Sequence, residues 1–322
     1  MRAFFPIAPV PPMNTLLLLV AIVDEHKALL LKRFRVIDAP TAAARAVAIA
    51  AHGPDIELVL TNGATGFTAA EIAACPNLKL LAAQGAGHEN LDVAAAKARG
   101  ILTCNGAGTN DDCVADHALA LLLASVRALP QQGAALRAGV WRDALPLYPH
   151  FRGRRLGVVG LGTIGRKIAA RAAAFGMVIG YHNRRPREDA GDAAWFDSAT
   201  ALAAWADDLV VATPGGAATK HIVDAGVLAA LGPGGHVVNI ARGSCVDTAA
   251  LAAALRAGGI AGAALDVYES EPLPPQELLG LDNVILTPHV AGWSPQAVRA
   301  TVDNFIANVE AWQRGAPLPT PI

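Results

Sequence analysis

The sequence predicts an α/β protein built from two doubly wound parallel-sheet domains with a cleft between them. Three observations lead to this fold class. The chain has 322 residues, which is long for a single hydrophobic core. Short apolar runs alternate with helical stretches in both halves, as in parallel sheets that are covered by helices on both faces. Glycine-rich loops follow several predicted strands, at the edge where such sheets bind ligands.

The overall composition argues against several classes of partner. Hydrophobic residues make up 53% of the chain, and 26 basic residues nearly balance 27 acidic ones, for a net charge of −1. No basic excess indicates nucleic-acid binding, and no acidic block indicates a disordered tail. The longest wholly apolar run, Leu16–Val23, is too short for a membrane-spanning helix, which needs about 20 apolar residues. We therefore expect a soluble protein with no nucleic-acid or membrane partner.

The cysteines indicate a reducing compartment. Cys75, Cys104, Cys113 and Cys245 form no CxxC pair and no dense framework, which is typical of buried thiols in cytoplasmic proteins. No cysteine–histidine pair has the short spacing of a zinc site. We expect free thiols, a cytoplasmic location and no metal.

The first series of elements begins after residues 1–12, which contain four prolines and are predicted to be an irregular lead-in. The native start is left open between Met1 and Met13. Alternation of apolar strands with helical segments then continues to Cys104. The expected strands are Thr15–Val23, Glu57–Leu60, Leu78–Ala82 and Ile101–Cys104, and the expected helices are Thr41–Ala51, Thr68–Cys75 and Asp92–Arg99.

A long helix is predicted next, from about Asp111 to Ala138. Its apolar content is high all round, which suggests burial between domains or subunits. A second alternating series follows, and its last helix begins at Ser294-Pro295, a capping serine before a proline. The strands expected in this series are Leu156–Val159, Val178–Tyr181, Leu209–Ala212, His236–Ile240, Ala263–Val267 and Val284–Leu286, and one helix is expected at Asp247–Arg256.

The strongest single motif is the GxGxxG stretch Val158–Gly165, with sequence VVGLGTIG. It lies directly between a predicted strand and a predicted helix, which is the context of a dinucleotide-binding loop. Gly160 allows the tight turn, Gly162 lets a pyrophosphate approach the backbone, and Gly165 lets helix and strand pack closely. The helix N-terminus beginning at Thr163 and Ile164 offers free N–H groups to the phosphates.

The residues at the end of the next predicted strand indicate the cofactor preference. NAD sites usually have a carboxylate there, which accepts a hydrogen bond from the ribose 2′-hydroxyl. Here Asn183 takes that place, and Arg184 and Arg185 follow at once. Two arginines suit a 2′-phosphate dianion, so we expect NADPH, with NADH possible.

Three further stretches follow predicted strands of the second domain, at the edge where the ligand lies. They contain Arg242, Glu271 and His289. Arg242 could bind a carboxylate and polarise the neighbouring carbonyl. His289 is a natural general acid, because imidazole titrates near neutrality. Glu271 could hold the imidazolium and raise its pKa.

The chain resembles the D-isomer-specific 2-hydroxyacid dehydrogenase family from about Thr61 to Gly315. The family's Arg–Glu–His triad falls on Arg242, Glu271 and His289, and Asp266 matches the acidic residue that meets the nicotinamide carboxamide. The resemblance implies a flavodoxin-like substrate domain (residues 1–105 plus 292–322) and a Rossmann cofactor domain (residues 106–291), in a homodimer. The cofactor contacts expected are Gly160, Gly162, Thr163, Ile164, Gly165, Asn183, Arg184, Arg185, Thr213, Pro214, Ala241, Asp266 and Gly292.

Within the family, the Asn183–Arg185 and 61–66 segments are most similar to NADP-using glyoxylate/hydroxypyruvate reductases. The backbone N–H groups of Ala64, Thr65 and Gly66 would receive the substrate carboxylate, together with Arg242 and His289. The product would be a D-2-hydroxy acid. Three other substrates stay open, namely 2-ketogluconate, hydroxyphenylpyruvate and phosphite. A dinucleotide-sensing binding protein is the alternative outside enzymes, because some corepressors resemble this family.

Overall fold

The structure, a computed structural model, describes residues 13–322. The predicted lead-in at residues 1–12 lies outside the described residues. Contacts divide the chain into two compact units: the first runs to Thr109 and includes Pro295–Ile322, and the second is Asn110–Ser294. The corresponding boundaries expected from the sequence were 105/106 and 291/292.

The first unit is a parallel sheet of five strands in the order β2-β1-β3-β4-β5. Its two faces are covered by helices, and its core consists of leucine, valine and isoleucine side chains from alternate strand positions, as in a doubly wound sheet. The strands are β1 Thr15–Leu18, β2 Arg35–Asp38, β3 Leu58–Asn62, β4 Leu80–Gln84 and β5 Leu102–Cys104; the helices are α1 Asp24–Leu31, α2 Ala42–His52, α3 Ala69–Ala74, α4 Val93–Ala98 and α11 Pro295–Gln313.

Three elements of this unit differ from the sequence prediction. Strand β1 ends at Leu18, not at Val23, because its pairing with β2 stops at Leu18↔Asp38. Helix α1 and strand β2 were not predicted. Strand β2 lies at the sheet edge with none of its residues buried, so it lacks the apolar run that marks the inner strands.

The second unit is a seven-stranded parallel sheet in the order β12-β11-β10-β9-β6-β7-β8. The order reverses beside β6, and an open α/β sheet binds its ligand at such a point. The strands are β6 Arg155–Val159, β7 Val178–His182, β8 Ala194–Phe196, β9 Asp208–Val211, β10 His236–Asn239, β11 Gly262–Leu265 and β12 Val284–Leu286; the helices are α5 Asp111–Val126, α6 Leu129–Arg137, α7 Thr163–Ala174, α8 Ala199–Trp205, α9 Ala225–Leu231 and α10 Thr248–Arg256. These two sheets confirm the α/β fold class.

The expected single helix from Asp111 to Ala138 was wrong. Ala128 has a left-handed backbone (φ 48°) and separates α5 from α6, and Pro130 lies in the first turn of α6. Proline suits a first helical turn but cannot continue a preceding helix. Burial differs too, since α5 packs on the sheet while α6 has no buried residue within this chain.

Within residues 13–322, no single helix is both long and apolar enough to cross a membrane. One pair of helices in this range, α5 with α6, has the length and composition only when the two are taken together, and the pair is bent by 55°.

A buried histidine lies where α5 meets the sheet of the second unit. The Nδ1 atom of His236 is 2.8 Å from Ser125 Oγ, and its residue is 7% exposed. Burial and the nearby charge of Arg154 lower the pKa of His236 to about 4. The ring therefore stays neutral in the folded protein at pH values where an unfolded chain would protonate it.

We predict that His236 makes the fold acid-sensitive. Its pKa falls from 6.5 to about 4 on folding, so its contribution is fully present above the unfolded pKa and is lost as pH drops toward the folded one. The free energy of unfolding should decrease by up to about 3 kcal/mol over this window. Chemical denaturation of wild type and His236→Gln, at several pH values, measures the difference in slope. Equal slopes in the two proteins would refute the assignment.

Candidate active site

The glycine loop joins β6 to α7, and each glycine has a distinct environment. A Cβ on Gly160 (φ 100°) would lie 2.8 Å from the backbone of Thr213, and one on Gly165 would lie 2.1 Å from the carbonyl oxygen of Gly160. These two positions exclude side chains because the backbone is too close. A Cβ on Gly162 would instead meet nothing within 4 Å, so the space beside it can admit a ligand. Gly162 caps α7 without a side-chain hydrogen bond, which leaves the first N–H groups of the helix available.

A cavity of about 900 Å³ opens beyond this loop at the carboxyl edge of the sheet. Its size suits a dinucleotide-sized ligand. Thr163, Ile164 and Gly165 form the first turn of α7. The residues expected to contact the cofactor that line the cavity are Gly160, Gly162, Asn183, Arg184, Arg185, Thr213 and Pro214.

The end of β7 carries no carboxylate where an NAD site usually has one. Asn183 Oδ1 accepts a hydrogen bond of 2.7 Å from the backbone N–H of Leu161 in the glycine loop. Arg184 and Arg185 are exposed, and among residues 13–322 no acidic side chain is paired with them. The edge of the cavity is therefore positively charged and suited to an anionic group.

Two of the three proposed chemical residues are hydrogen-bonded to each other. His289 Nδ1 is 2.8 Å from Glu271 Oε2, and the other carboxylate oxygen accepts a 2.8 Å bond from the N–H of Tyr268. Arg242 Nη1 donates to the carbonyl of Ala241 at 2.6 Å. The His289 side chain remains 46% exposed, so its other ring nitrogen can meet a ligand.

The charges of this group are coupled. The hydrogen bond that Glu271 accepts from His289 raises the pKa of His289 above its usual value of 6.5, against the opposing effect of burial. Burial pushes the pKa of Glu271 up, but hydrogen bonds from His289 and from the Tyr268 N–H hold it below 4.5. The pairing therefore favours the imidazolium form of His289 and the carboxylate form of Glu271. Arg242 adds a positive charge that lowers both pKa values.

Asp266 fixes the loop that carries His289. Its residue is 1% exposed, and its carboxylate accepts three bonds, from Thr287 Oγ1 (2.6 Å) and from the N–H groups of Val290 (2.9 Å) and Ala291 (2.8 Å). Burial raises the pKa of Asp266, but the His117 ring, 3.6 Å away, and the hydrogen bonds from Thr287 and these two amides bring it below 3.8. The carboxylate thus stays charged inside the protein.

The backbone of His289 lies in the left-handed region, with φ 53°. A non-glycine residue there costs about 1–2 kcal/mol, so the surroundings must hold it. Its N–H donates to the carbonyl of Asp266 at 2.8 Å. The backbone carbonyl of Asp266 therefore accepts from the N–H of His289, and its carboxylate accepts from those of the next two residues.

The remaining cofactor candidates lie in turns at the same edge. Ala241 is buried, and its N–H donates to Asn239 Oδ1 at 3.0 Å. A Cβ on Gly292 would lie 2.7 Å from Asn110 Nδ2, so glycine is needed there for packing.

The turn Asn62–Gly66, in the first unit, differs from the expectation that all three of its last amides are open to a ligand. The N–H of Thr65 donates to Asn62 Oδ1 at 2.7 Å, and the N–H of Gly66 donates to the carbonyl of Asn62 at 2.8 Å. Asparagine side chains commonly close turns in this way. Of the three, the N–H of Ala64 is the one for which the described residues provide no acceptor.

Three residues near the site were not given a role from sequence. Tyr268 donates its backbone N–H to Glu271 and its hydroxyl to the carbonyl of Thr287, two residues before His289. Nε2 of His117, on α5, lies 3.1 Å from Thr287 Oγ1. Arg187 lines the cavity. Arg187 was recognisable as a third basic residue after Asn183. The contacts of His117 and of the Tyr268 hydroxyl with Thr287 join parts of the chain that are distant in sequence, so no local pattern indicates them.

The glycine loop and the cavity together indicate the class of protein. A glycine loop at the switch point of a doubly wound sheet, beside a cavity at its carboxyl edge, is typical of nicotinamide-dinucleotide-binding enzymes. Residues 119–291 match the family described as "D-isomer specific 2-hydroxyacid dehydrogenase, NAD binding domain". The chain belongs to this family and is an NAD(P)-dependent 2-hydroxyacid dehydrogenase, which acts on a small keto or hydroxy acid.

Individual relatives are similar over nearly the whole chain. Glyoxylate/hydroxypyruvate reductase A of Arabidopsis thaliana is 37% identical over 292 residues, covering 90% of this chain and 93% of the relative. Hydroxyphenylpyruvate reductase of Plectranthus scutellarioides is 36% identical with the same coverage of both chains. The crystal structure of the NADPH-dependent glyoxylate/hydroxypyruvate reductase from Sinorhizobium meliloti, in complex with NADP and malonate, superposes with a TM-score of 0.87 at 39% identity and covers 96% of each chain.

We predict that Asp266→Asn destabilises the protein. Both carboxylate oxygens of Asp266 accept hydrogen bonds. In the variant, the NH2 group of asparagine would replace one of these oxygens and would face a donor that has lost its acceptor. An unsatisfied buried group costs about 1–3 kcal/mol. Chemical denaturation gives the change in the free energy of unfolding. Asp192→Asn, at an exposed position, is the matched control and should leave stability unchanged. Wild-type stability in Asp266→Asn would contradict the role given to this carboxylate.

Proposed function

We propose that this protein is an NADPH-preferring reductase of small 2-keto acids, with glyoxylate and hydroxypyruvate as substrates and D-2-hydroxy acids as products. The observation that carries the proposal is the hydrogen-bonded Glu271–His289 pair, at the sheet edge that also carries Arg242. The similarity to glyoxylate/hydroxypyruvate reductases supports the substrate class.

In the proposed reduction, a bound reduced nicotinamide supplies the hydride to the keto carbon. Arg242 binds the substrate carboxylate and draws electron density from the neighbouring carbonyl oxygen. His289 donates its proton to that oxygen as negative charge develops on it. Glu271 orients the ring and keeps it protonated until the transfer. In the reverse direction, neutral His289 takes the hydroxyl proton.

The residues that would hold the dinucleotide follow from the cavity. The first N–H groups of α7 would receive the pyrophosphate at Gly162, and Arg184 and Arg185 would receive the 2′-phosphate. Thr213, Pro214, Ala241 and Gly292 would lie along the rest of the cofactor. Asp266 would meet the carboxamide with the remaining lone pair of Oδ2, since that oxygen accepts one bond.

The substrate carboxylate would also be received by the turn Ala64–Gly66. Since Asn62 Oδ1 already accepts from Thr65, the carboxylate would compete with this side chain for one amide and bind directly to that of Ala64. Larger acids such as hydroxyphenylpyruvate or 2-ketogluconate would use the same triad. Similarity to hydroxyphenylpyruvate reductase supports testing that acid alongside the small ones.

A homodimer and a cytoplasmic location complete the proposal. Both rest on the family resemblance and, for location, on the free cysteines at positions 75, 104, 113 and 245. Light scattering coupled to size-exclusion chromatography tests the dimer, and a monomer mass at micromolar concentration would reject it.

The cofactor preference is testable through Arg184 and Arg185. Purified protein should give a higher kcat/KM with NADPH than with NADH for glyoxylate or hydroxypyruvate. Loss of two charge-assisted contacts in the Arg184→Gln, Arg185→Gln double variant should reduce that ratio by about tenfold to a hundredfold. Arg33→Gln, an exposed site in the first unit, is the control. A wild-type preference for NADH would reject this part of the proposal.

The role of the Glu271–His289 pair is testable through pH. Because the pKa of His289 is raised, the proton donor stays charged above its ordinary pKa, and kcat/KM for reduction should decline only on the alkaline side of 6.5. Glu271→Gln should move this decline to lower pH, since the carboxylate no longer favours the imidazolium.

His289→Asn provides the complementary test. Asparagine tolerates a left-handed backbone, so the fold should persist while reduction falls by about a hundredfold to ten-thousandfold. Either of two results would show that another group is the acid. One is an unchanged pH profile in Glu271→Gln, and the other is full activity in His289→Asn.

A further inference from the structure

We propose that Tyr268 is a positioning residue that holds the loops carrying Arg242, Glu271 and His289 at fixed distances from one another. The inference rests on the proposed function, because it takes these three side chains as the reacting groups. It adds a fourth residue, outside the triad, on which the geometry of the other three depends.

The hydroxyl of Tyr268 joins two strand ends. It lies 2.6 Å from the carbonyl oxygen of Thr287 and 3.0 Å from that of Leu265. Leu265 is the last residue of β11, and Thr287 directly follows β12 and precedes His289 by two residues. One hydroxyl therefore connects the end of β11 to the start of the loop that carries the proton donor.

The backbone of Tyr268 contacts Glu271 and lies against Gly243, the residue that follows Arg242. Its N–H donates to Glu271 Oε1 at 2.8 Å, while the opposite oxygen of Glu271 receives His289. Its carbonyl carbon lies 1.9 Å from the position that a Cβ on Gly243 would take. The segment after Arg242 can approach this closely only because residue 243 is glycine.

The chemistry of the phenol suits a permanent donor. Burial, followed by the charges of Asp266 and Glu271, raises the pKa of Tyr268 to about 12. The hydroxyl therefore keeps its proton throughout the range in which His289 titrates. Tyr268 is half-buried and packs against the hydrophobic core of the second unit, which fixes the ring from which both contacts are made.

Removing the hydroxyl should abolish its contacts with the carbonyls of Leu265 and Thr287 and leave the rest of the ring in place. Without the donor, the carbonyl of Thr287 is no longer tied to Tyr268, and the His289 loop gains freedom relative to Glu271. The charged groups that act on His289 are Glu271, Asp266 and Arg242. Of these, Glu271 makes the largest contribution, so a longer Glu271–His289 contact lowers the pKa of His289.

The test is a double-mutant cycle of Tyr268→Phe and Glu271→Gln, with kcat, KM for NADPH, and the pH dependence of reduction measured for all four proteins. Tyr268→Phe alone should reduce kcat by about tenfold to a hundredfold, as expected for a misplaced reacting group, and leave KM for NADPH within about twofold. It should also move the alkaline decline of activity to lower pH. In the Glu271→Gln background the same change should have a much smaller effect on kcat, because coupled residues are not additive.

The outcomes separate this inference from the proposed function. If Glu271→Gln changes neither kcat nor the pH profile, the proposed function fails. If Glu271→Gln behaves as proposed but Tyr268→Phe leaves kcat and the pH profile unchanged, or multiplies independently with Glu271→Gln, Tyr268 has no positioning role. Tyr148→Phe is the control for loss of a phenol elsewhere. Should Tyr268→Phe fail to fold, Tyr268→His keeps a ring with a donor, and restored kcat in that variant relative to Tyr268→Leu supports the role, while equal loss in both rejects it.

Discussion

Parallel pairing of β10, β11 and β12 is the constraint on which the site depends. Asn239 is paired with Leu265, and Leu265 with Leu286, so the three strands end at the same level. Parallel strands deliver their carboxyl ends to one edge. The loops that follow therefore place Arg242, Glu271 and His289 on one side of the sheet, although they are far apart in sequence. The core of this sheet is mainly apolar, so we do not expect its stability to depend on these three side chains.

Two polar residues convert this coarse placement into a defined geometry. Asp266 satisfies the N–H groups of the loop after β12 and offsets the cost of the left-handed backbone at His289. The hydroxyl of Tyr268 contacts the carbonyl oxygens of Leu265, at the end of β11, and Thr287, directly after β12. Both precede Glu271 on the same loop, so one segment of the chain contains the residues that fix the site and the carboxylate that pairs with His289. Buried polar networks of this kind restrict a site strongly because every member is hydrogen-bonded.

The sequence predicted the parts of this protein that have strong local patterns. The inner strands, the capped helix α10 and the glycine loop each combine a clear period with a recognisable turn, and the strand ends indicated the three chemical residues. Strands β2 and β8 and helix α1 escaped detection because they are short and largely exposed, so few of their residues indicate a buried face. Pro130 was the local signal for the break at Ala128, but the apolar residues around it favoured one continuous helix. The bonds of Asp266 and of the Tyr268 hydroxyl to the loop after β12 join residues that are distant in sequence, so no local pattern indicates them. The bond from Thr65 to Asn62 is local, and an asparagine in a turn was its signal.

Under the proposed role of Arg184 and Arg185, their exposure would make cofactor discrimination sensitive to ionic strength. Two full charges in solvent attract a phosphate over a distance that salt limits to about 8 Å at physiological concentration. The amide dipoles at the start of α7 act at contact distance and are less affected by dissolved ions. In the proposed complex, salt would therefore weaken the contacts that distinguish the two nucleotides more than the contacts that both share, and the ionic composition of the surroundings would help to set which reduced cofactor is consumed.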